Sequence, residues 1–236
     1  MTKTVGSNSS SVNTVNRETY LKHLLTQATA AADESNLGLK ALRERAIALV
    51  GEQSFPSGRE EEWRFTDLSD LLTQPLQRAQ QVESTAEDWQ ASLDLLAGGA
   101  CLTTIDGHYD STLSRETTQE GVVVAPLSQL LKSSDYAEKL APILDKRLAQ
   151  IKGGSEVFTA LNTAGFADVM VVWVQADRVV DEPIYIARGS QGEIFSQVRS
   201  LIIAERHAKF TVVESFFGSN QQTDACCNNS VSELWL

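Results

Sequence analysis

The chain has 236 residues, 42% hydrophobic and 22% charged, enough for one large domain or two small ones with a sizeable core. Its formal net charge of −11 and pI near 4.8 repel nucleic acid and anionic membrane surfaces, and no Lys/Arg cluster offsets that field. No apolar run reaches the roughly 18–20 residues needed to span a bilayer, the N-terminus has no apolar signal-type core, and three cysteines do not make a disulfide framework. A reducing, cytoplasmic-type compartment is expected.

Residues 1–16 are Ser/Thr/Asn-rich without periodicity and read as a disordered tail. A helix is predicted from Asn16, a good N-cap, with Tyr20, Leu21, Leu24, Leu25 and Ala28 on one face. A second follows Ser35–Asn36, with Leu39, Leu42, Ala46 and Leu49 on its face and Gly51 as its stop. After a turn at Phe55–Pro56, Ser57 and Glu60 have capping-box spacing, and Glu60–Glu62 sit where a helix N-terminus favours acids. Ser84 and Glu87 repeat that spacing ahead of a helix through Trp89, Leu93 and Leu96 that ends at Gly98–Gly99.

Beyond Ala100 the pattern changes. Cys101–Ile105 reads as a strand, Asp106–Gly107 as a turn and Val122–Val124 as a short apolar run ending in Ala125–Pro126. Leu127–Gln150 reads as mostly helical, with Pro142 as a break or a new first turn. The last 70 residues hold short apolar segments: Val169–Val174, Ile184–Ile186, Ile194–Val198, Leu201–Ala204, Phe210–Val213 and Val231–Leu236. Their spacing fits a sandwich, a barrel or a parallel β-solenoid.

Candidate chemistry is sparse. Side chains of consecutive helical residues diverge by about 100°, so Glu60, Glu61 and Glu62 cannot converge on one metal ion. Trp63 and Phe65 read as core or interface anchors. Cys226–Cys227 could hold a soft metal or form a redox pair. On an extended backbone, however, adjacent side chains face opposite ways, and no nearby Cys or His completes a tetrahedral set; the expected reading is a loop position rich in Asn and Gln. Cys101 reads as a buried small hydrophobe. His23, His108 and His207 lie in no catalytic motif, and Gly153–Gly154 and Gly189–Gly192 lack phosphate-loop spacing. No catalytic, cofactor-binding or metal-ligating residue is assigned.

Phe55–Leu68 carries more specific information. Phe55, Pro56, Arg59, Glu61, Trp63, Arg64, Phe65, Thr66, Asp67 and Leu68 resemble the F-P-x-x-R-x-E-x-W-(R/K)-(Y/F)-T-(D/N)-L segment of the SufD family of iron–sulfur assembly scaffolds. The resemblance continues through Ile105-Asp106-Gly107, Gly121–Val124 with Leu127, Phe158–Ala164, Asp181–Ile184, Arg199–Ile203, Phe210–Glu214 and Asn229–Leu234. It implies an α+β chain. With it the resemblance implies an N-terminal mainly helical domain over 17–165 and the start of a right-handed parallel β-helix over 166–236.

The resemblance further implies a non-catalytic scaffold of the SUF system, in the cytoplasm or a plastid stroma. Such a scaffold carries no cofactor of its own and pairs with a SufB-type scaffold and a SufC-type ATPase. The chain stops inside an apolar strand, so a truncated fragment is expected. The family's functional histidine and ATPase-binding part would lie beyond residue 236, and the open β-helix end would be buried by self-association. Two other classes stay open: a β-solenoid enzyme acting on sugars or acyl groups through Glu193, Glu205 or Glu214, and a metal-binding module built on Cys226 and Cys227.

Overall fold

The computed structural model describes residues 16–32, 37–78, 85–96, 98–150, 156–219 and 225–236. The expected tail, apart from Asn16, lies outside the described residues, as do Ser35–Asn36, Ser84 and Gly153–Gly154. Helices precede most of the strands, giving a mixed α+β chain. No described helix is long and apolar enough to cross a membrane.

Helix α1 (Arg17–Ala32) starts as expected, with the Asn16 side chain accepting the Glu18 N–H at 2.9 Å. It buries Tyr20, Leu21, Leu24 and Ala28. Helix α2 (Lys40–Gly51) buries Ala46 and Val50. Gly51 is its last helical residue rather than a left-handed stop; Glu52 ends the helix in right-handed geometry.

The Phe55–Leu68 stretch corrects a second expectation. Glu60 does accept the Ser57 N–H at 3.0 Å, but only a single 3₁₀ turn, Glu61–Trp63, follows. At the next helix the capping box is shifted by one residue. The Thr85 hydroxyl and N–H donate to the Asp88 carboxylate ahead of α3 (Ala86–Asp94).

Further on, α4 (Leu127–Leu130) and α5 (Ser134–Arg147) divide at Ser133, not at Pro142, which lies inside α5. Helix α6 (Val157–Gly165) crosses α1 so closely that a Cβ on Gly165 would come within 2.6 Å of the Ala28 Cβ.

The strands are β1 (Gln77–Arg78), β2 (Cys101–Ile105), β3 (His108–Tyr109), β4 (Val122–Pro126), β5 (Val169–Val174), β6 (Ile184–Ser190), β7 (Ile194–Ala204), β8 (Val212–Gly218) and β9 (Cys227–Trp235). Ile194–Val198 and Leu201–Ala204, expected as two strands, form one. β8 begins two residues later than Phe210, and Cys227 opens β9 instead of lying in a loop.

Two sheets result. In the first, β7 pairs in parallel with β1, β5 and β9, and β4 adds antiparallel to β5. In the second, β6 pairs in parallel with β2 and β8, and β3 closes a hairpin on β2. From β5 to β9 the chain therefore changes sheet at every strand. The pairs β2–β6 and β4–β5 join strands on either side of residue 165.

Alternation distributes the core. Met170, Val172 and Val174 face the second sheet and pack with Leu102, Ile184 and Ile186. Val169, Val171 and Trp173 face the helices, with Leu127, Leu140 and Leu201 around them. Both faces of β5 are buried, which is why its sequence is an unbroken apolar run. Phe195 packs with α1 and α6, and α3 covers the outside of the second sheet through Trp89 and Leu93. The β2–β3 hairpin turns through Asp106 and Gly107 at φ 53° and 85°, the left-handed pair that a two-residue turn requires.

Candidate functional site

One part of the space between the two sheets is apolar, and the other is lined with polar side chains. Arg188 and Ser190 come from β6, Ser196 and Ser200 from β7, Glu214 from β8, and Asn228, Ser230 and Ser232 from β9. The Arg188 guanidinium donates to Glu214 Oε1 at 2.6 Å and to Ser200 Oγ at 2.5 Å. Ser230 and Ser232 donate to the two Glu214 oxygens at 3.4 and 3.0 Å. Asn228 donates to Ser190 Oγ at 2.6 Å and bonds Ser196. Neighbouring strands are thus linked by side chains as well as by backbone.

A second ion pair lies on the opposite, helix-facing side of the first sheet. Arg199 and Glu233 are both fully buried. The Arg199 Nε donates to Glu233 Oε1 at 2.8 Å, and its NH1 donates to Asn162 Oδ1 at 3.0 Å and Thr163 Oγ1 at 3.4 Å. The Ala149 N–H donates to both Glu233 oxygens, at 3.1 and 3.0 Å. Asn162 spends its amide N–H groups on Val198 O and Asn229 O, at 2.9 and 2.8 Å. The cluster fastens β9 to β7, to α6 and to the segment after α5. Burial pushes both arginines below the usual guanidinium range, and their carboxylate partners oppose the shift.

Beside Glu214 the intersheet space opens into a cavity of about 550 Å³ between β8 and β9, walled by Ile186, Ile202, Val212 and Leu234, with Lys209 also on its lining. Leu234 and Leu236 on its lining are exposed.

The residues singled out in the sequence do not assemble into one site. Glu60, Glu61 and Glu62 are exposed. Trp63 packs on Phe158 at 5.4 Å between ring centroids, and Phe158 meets the buried Phe55 edge-on. Phe65, by contrast, is 90% exposed and touches the Arg64 guanidinium, so it is no core anchor. Cys101 is buried. Cys226 is exposed, and Cys227 is half-buried, its thiol pushed up to about 11 by burial and then by Cys226.

His23 meets Leu76 O at 2.7 Å, His108 is in β3, and His207 bonds Asp177 at 2.9 Å on the surface. Glu205 accepts from Trp173 Nε1 and the Ala176 N–H. Glu214 is taken up by Arg188 and the serines, and Glu193 precedes β7. Among the described residues no three His, Cys, Asp or Glu side chains gather where they could hold a metal ion.

Sequence reading missed Arg188, Arg199, Glu233, Asn162 and Asn229. A signal existed: Arg188, Arg199 and Glu233 are each the one charged residue of their strand. Only the strand register shows which carboxylate meets which arginine.

A family model described as SufBD protein N-terminal region matches residues 14–186. An iron–sulfur cluster assembly SufBD family protein of Synechocystis is 30% identical over 228 residues, covering 92% of this chain and 48% of the relative. The chloroplastic protein ABCI7 of Arabidopsis thaliana is 25% identical over 215 residues, covering 86% of this chain and 42% of the relative. The chain therefore spans about half the length of these curated relatives. Because the family match takes in the helices, the first sheet pairings and β5, the chain belongs to the SufBD family, in the region its N-terminal model describes.

Proposed function

We propose that this chain acts as the N-terminal part of a SufD-type scaffold in iron–sulfur cluster assembly, without a reaction or cofactor of its own. It works with a SufB-type scaffold and a SufC-type ATPase, in the cytoplasm or a plastid stroma. The observation that carries this reading is the family match together with a name that speaks of iron–sulfur cluster assembly in a relative covering 92% of the chain. The D-type assignment leans on the Phe55–Leu68 segment, whose buried Phe55 and half-buried Trp63 organise the junction of α1 and α6.

The strands β5 to β9 are read as the first turns of a right-handed parallel β-helix. Support comes from their parallel pairing in alternate sheets and from the register that aligns Val169, Arg199 and Val231, one turn taking about 30 residues. The handedness follows the strong preference of parallel crossovers. On this reading residues 17–165 supply the helical domain and residues 166–236 the beginning of the β-helix, with the first sheets already seeded by β2 and β4. The ladder polar groups are structural: each carboxylate is committed to an arginine and to hydrogen-bond donors, which leaves no free acid–base pair there.

Depletion of the protein in its own cells tests the role. Activities of iron–sulfur enzymes are expected to fall while their polypeptide levels hold; unchanged activities would overturn the reading. Pulldown with purified SufB-type and SufC-type proteins then tests the named partners.

A further inference from the structure

We propose that Cys226 and Cys227 form a redox pin at the entry of β9: a small-molecule disulfide oxidises the pair to a vicinal disulfide, and the closed ring releases the first residues of the strand from β7. The two thiols are adjacent in sequence but sit in different surroundings. Cys226 is exposed and precedes the strand, whereas Cys227 is its first residue and is half-buried. Cys227 pairs with Phe195 of β7 and packs against the cluster built by Tyr20, Phe55 and Leu161. Extended backbone sends neighbouring side chains to opposite faces, and consecutive Cα atoms lie about 3.8 Å apart, below the roughly 4.4–6.8 Å that disulfides usually span. The ring therefore closes only when the backbone at 226–227 twists out of strand geometry. Strand pairing at Cys227 and the disulfide exclude each other.

The chemistry balances with glutathione disulfide as the oxidant. The Cys226 thiolate attacks one oxidant sulfur, a Cys226–glutathione bond forms as the oxidant's S–S bond breaks, and one glutathione leaves and takes up the proton that Cys226 gave up. Cys227 does not follow while it is seated, because burial, and then Cys226, push its thiol up to about 11 and keep it protonated. Once the entry of β9 lifts, Cys227 loses its proton to water and attacks Cys226 Sγ; the second glutathione departs and is protonated in turn. Two protein thiols are oxidised and one disulfide is reduced to two glutathiones. Strain makes such a bond easy to reduce, so the thiols persist in a reducing compartment and the ring forms only when the surroundings turn oxidising. The consequence reaches past the pair itself. Asn228 donates to Ser190 Oγ at 2.6 Å, and Asn229 donates to Phe158 O and Gln197 Oε1, both at 2.7 Å. Lifting the entry of β9 therefore pulls on contacts with both sheets and with α6.

Incubation of the reduced chain with oxidised glutathione, followed by mass spectrometry without reductant, tests the step. A mixed disulfide at Cys226 is expected first, then a species about 2 Da lighter than the reduced chain, which dithiothreitol reverses. Cys227→Ser is expected to stop at the mixed disulfide, and Cys226→Ser to stay unmodified over the same period. In the closed species the amides of 227–229 are expected to exchange hydrogen about tenfold faster than in the reduced chain, with α1 and β5 unchanged. A wild type that stops at the mixed disulfide, a closed species whose 227–229 amides stay protected, protection lost throughout the chain, or a Cys226→Ser variant modified as fast as wild type would each overturn the proposal.

Discussion

Arg199–Glu233, on the helix-facing side of the first sheet, and Arg188–Glu214, on the inner face of the second, are the same pairing of residue types, yet their surroundings differ. The first is enclosed, with both side chains at 0% exposure and helix-side donors completing the carboxylate. The second lies between the sheets, with Arg188 at 1% but Glu214 at 24%, beside the open cavity. Geometry is good in both. What separates them is access to water: if one partner is lost, the survivor in the first pair has no solvent to turn to, whereas Glu214 has. A buried pair is weak support for stability as such, because desolvation of both charges offsets much of their attraction. Its asymmetry is the informative part, since intact it fixes register and half-removed it is costly.

The largest effect is expected for Glu233→Gln. It strands the Arg199 charge and should cost about 3–5 kcal/mol in urea unfolding. The double variant Arg199→Met, Glu233→Leu should recover most of that loss; a double variant as unstable as the single one would show that the pair itself holds β9 in place. Next comes Arg188→Met, with about 1–2 kcal/mol expected, because Glu214 keeps Ser230, Ser232 and solvent. A cost equal to that of Glu233→Gln would erase the contrast between enclosed and open pairs.

A pH experiment probes the turn at the second sheet. Burial raises the Asp106 carboxyl to about 6, opposed by the Gln191 N–H. The folded state therefore holds this proton more tightly than the unfolded chain. Its favourable contribution is present below the ordinary value of 3.8 and is lost as pH rises to about 6. Asp106→Asn keeps an acceptor and tolerates the left-handed φ, so the urea midpoint of the variant should change less across that window than that of wild type. The smallest effect is expected at the exposed Asp177–His207 pair, where Asp177→Asn should change stability by no more than about 1 kcal/mol.

Much of this architecture is legible in residue order. Cys101–Ile105 and Val169–Val174 are runs rich in apolar and β-branched residues, and both match strands end to end. Asn16 and the Asp106–Gly107 turn act through local chemistry, which sequence contains. Errors arise where tertiary contact overrides a local signal. Ser57–Glu60 makes its capping bond, but the chain turns away after Trp63 seats on Phe158. Cys226–Cys227 reads as loop because Asn228, Asn229 and Ser230 are polar; in fact those polar groups face partners on β6, β7, β8 and α6. Arg199 and Glu233 lie 34 positions apart, and nothing local announces that they meet.

The three cysteines also form a built-in reporter. Cys101 is buried and Cys227 has its thiol pushed to about 11, while Cys226 is exposed at the threshold of β9. A thiol-reactive fluorophore at neutral pH should therefore label position 226 first, without any engineered mutation. The later reaction of Cys227 would then time how often that strand lifts away from β7.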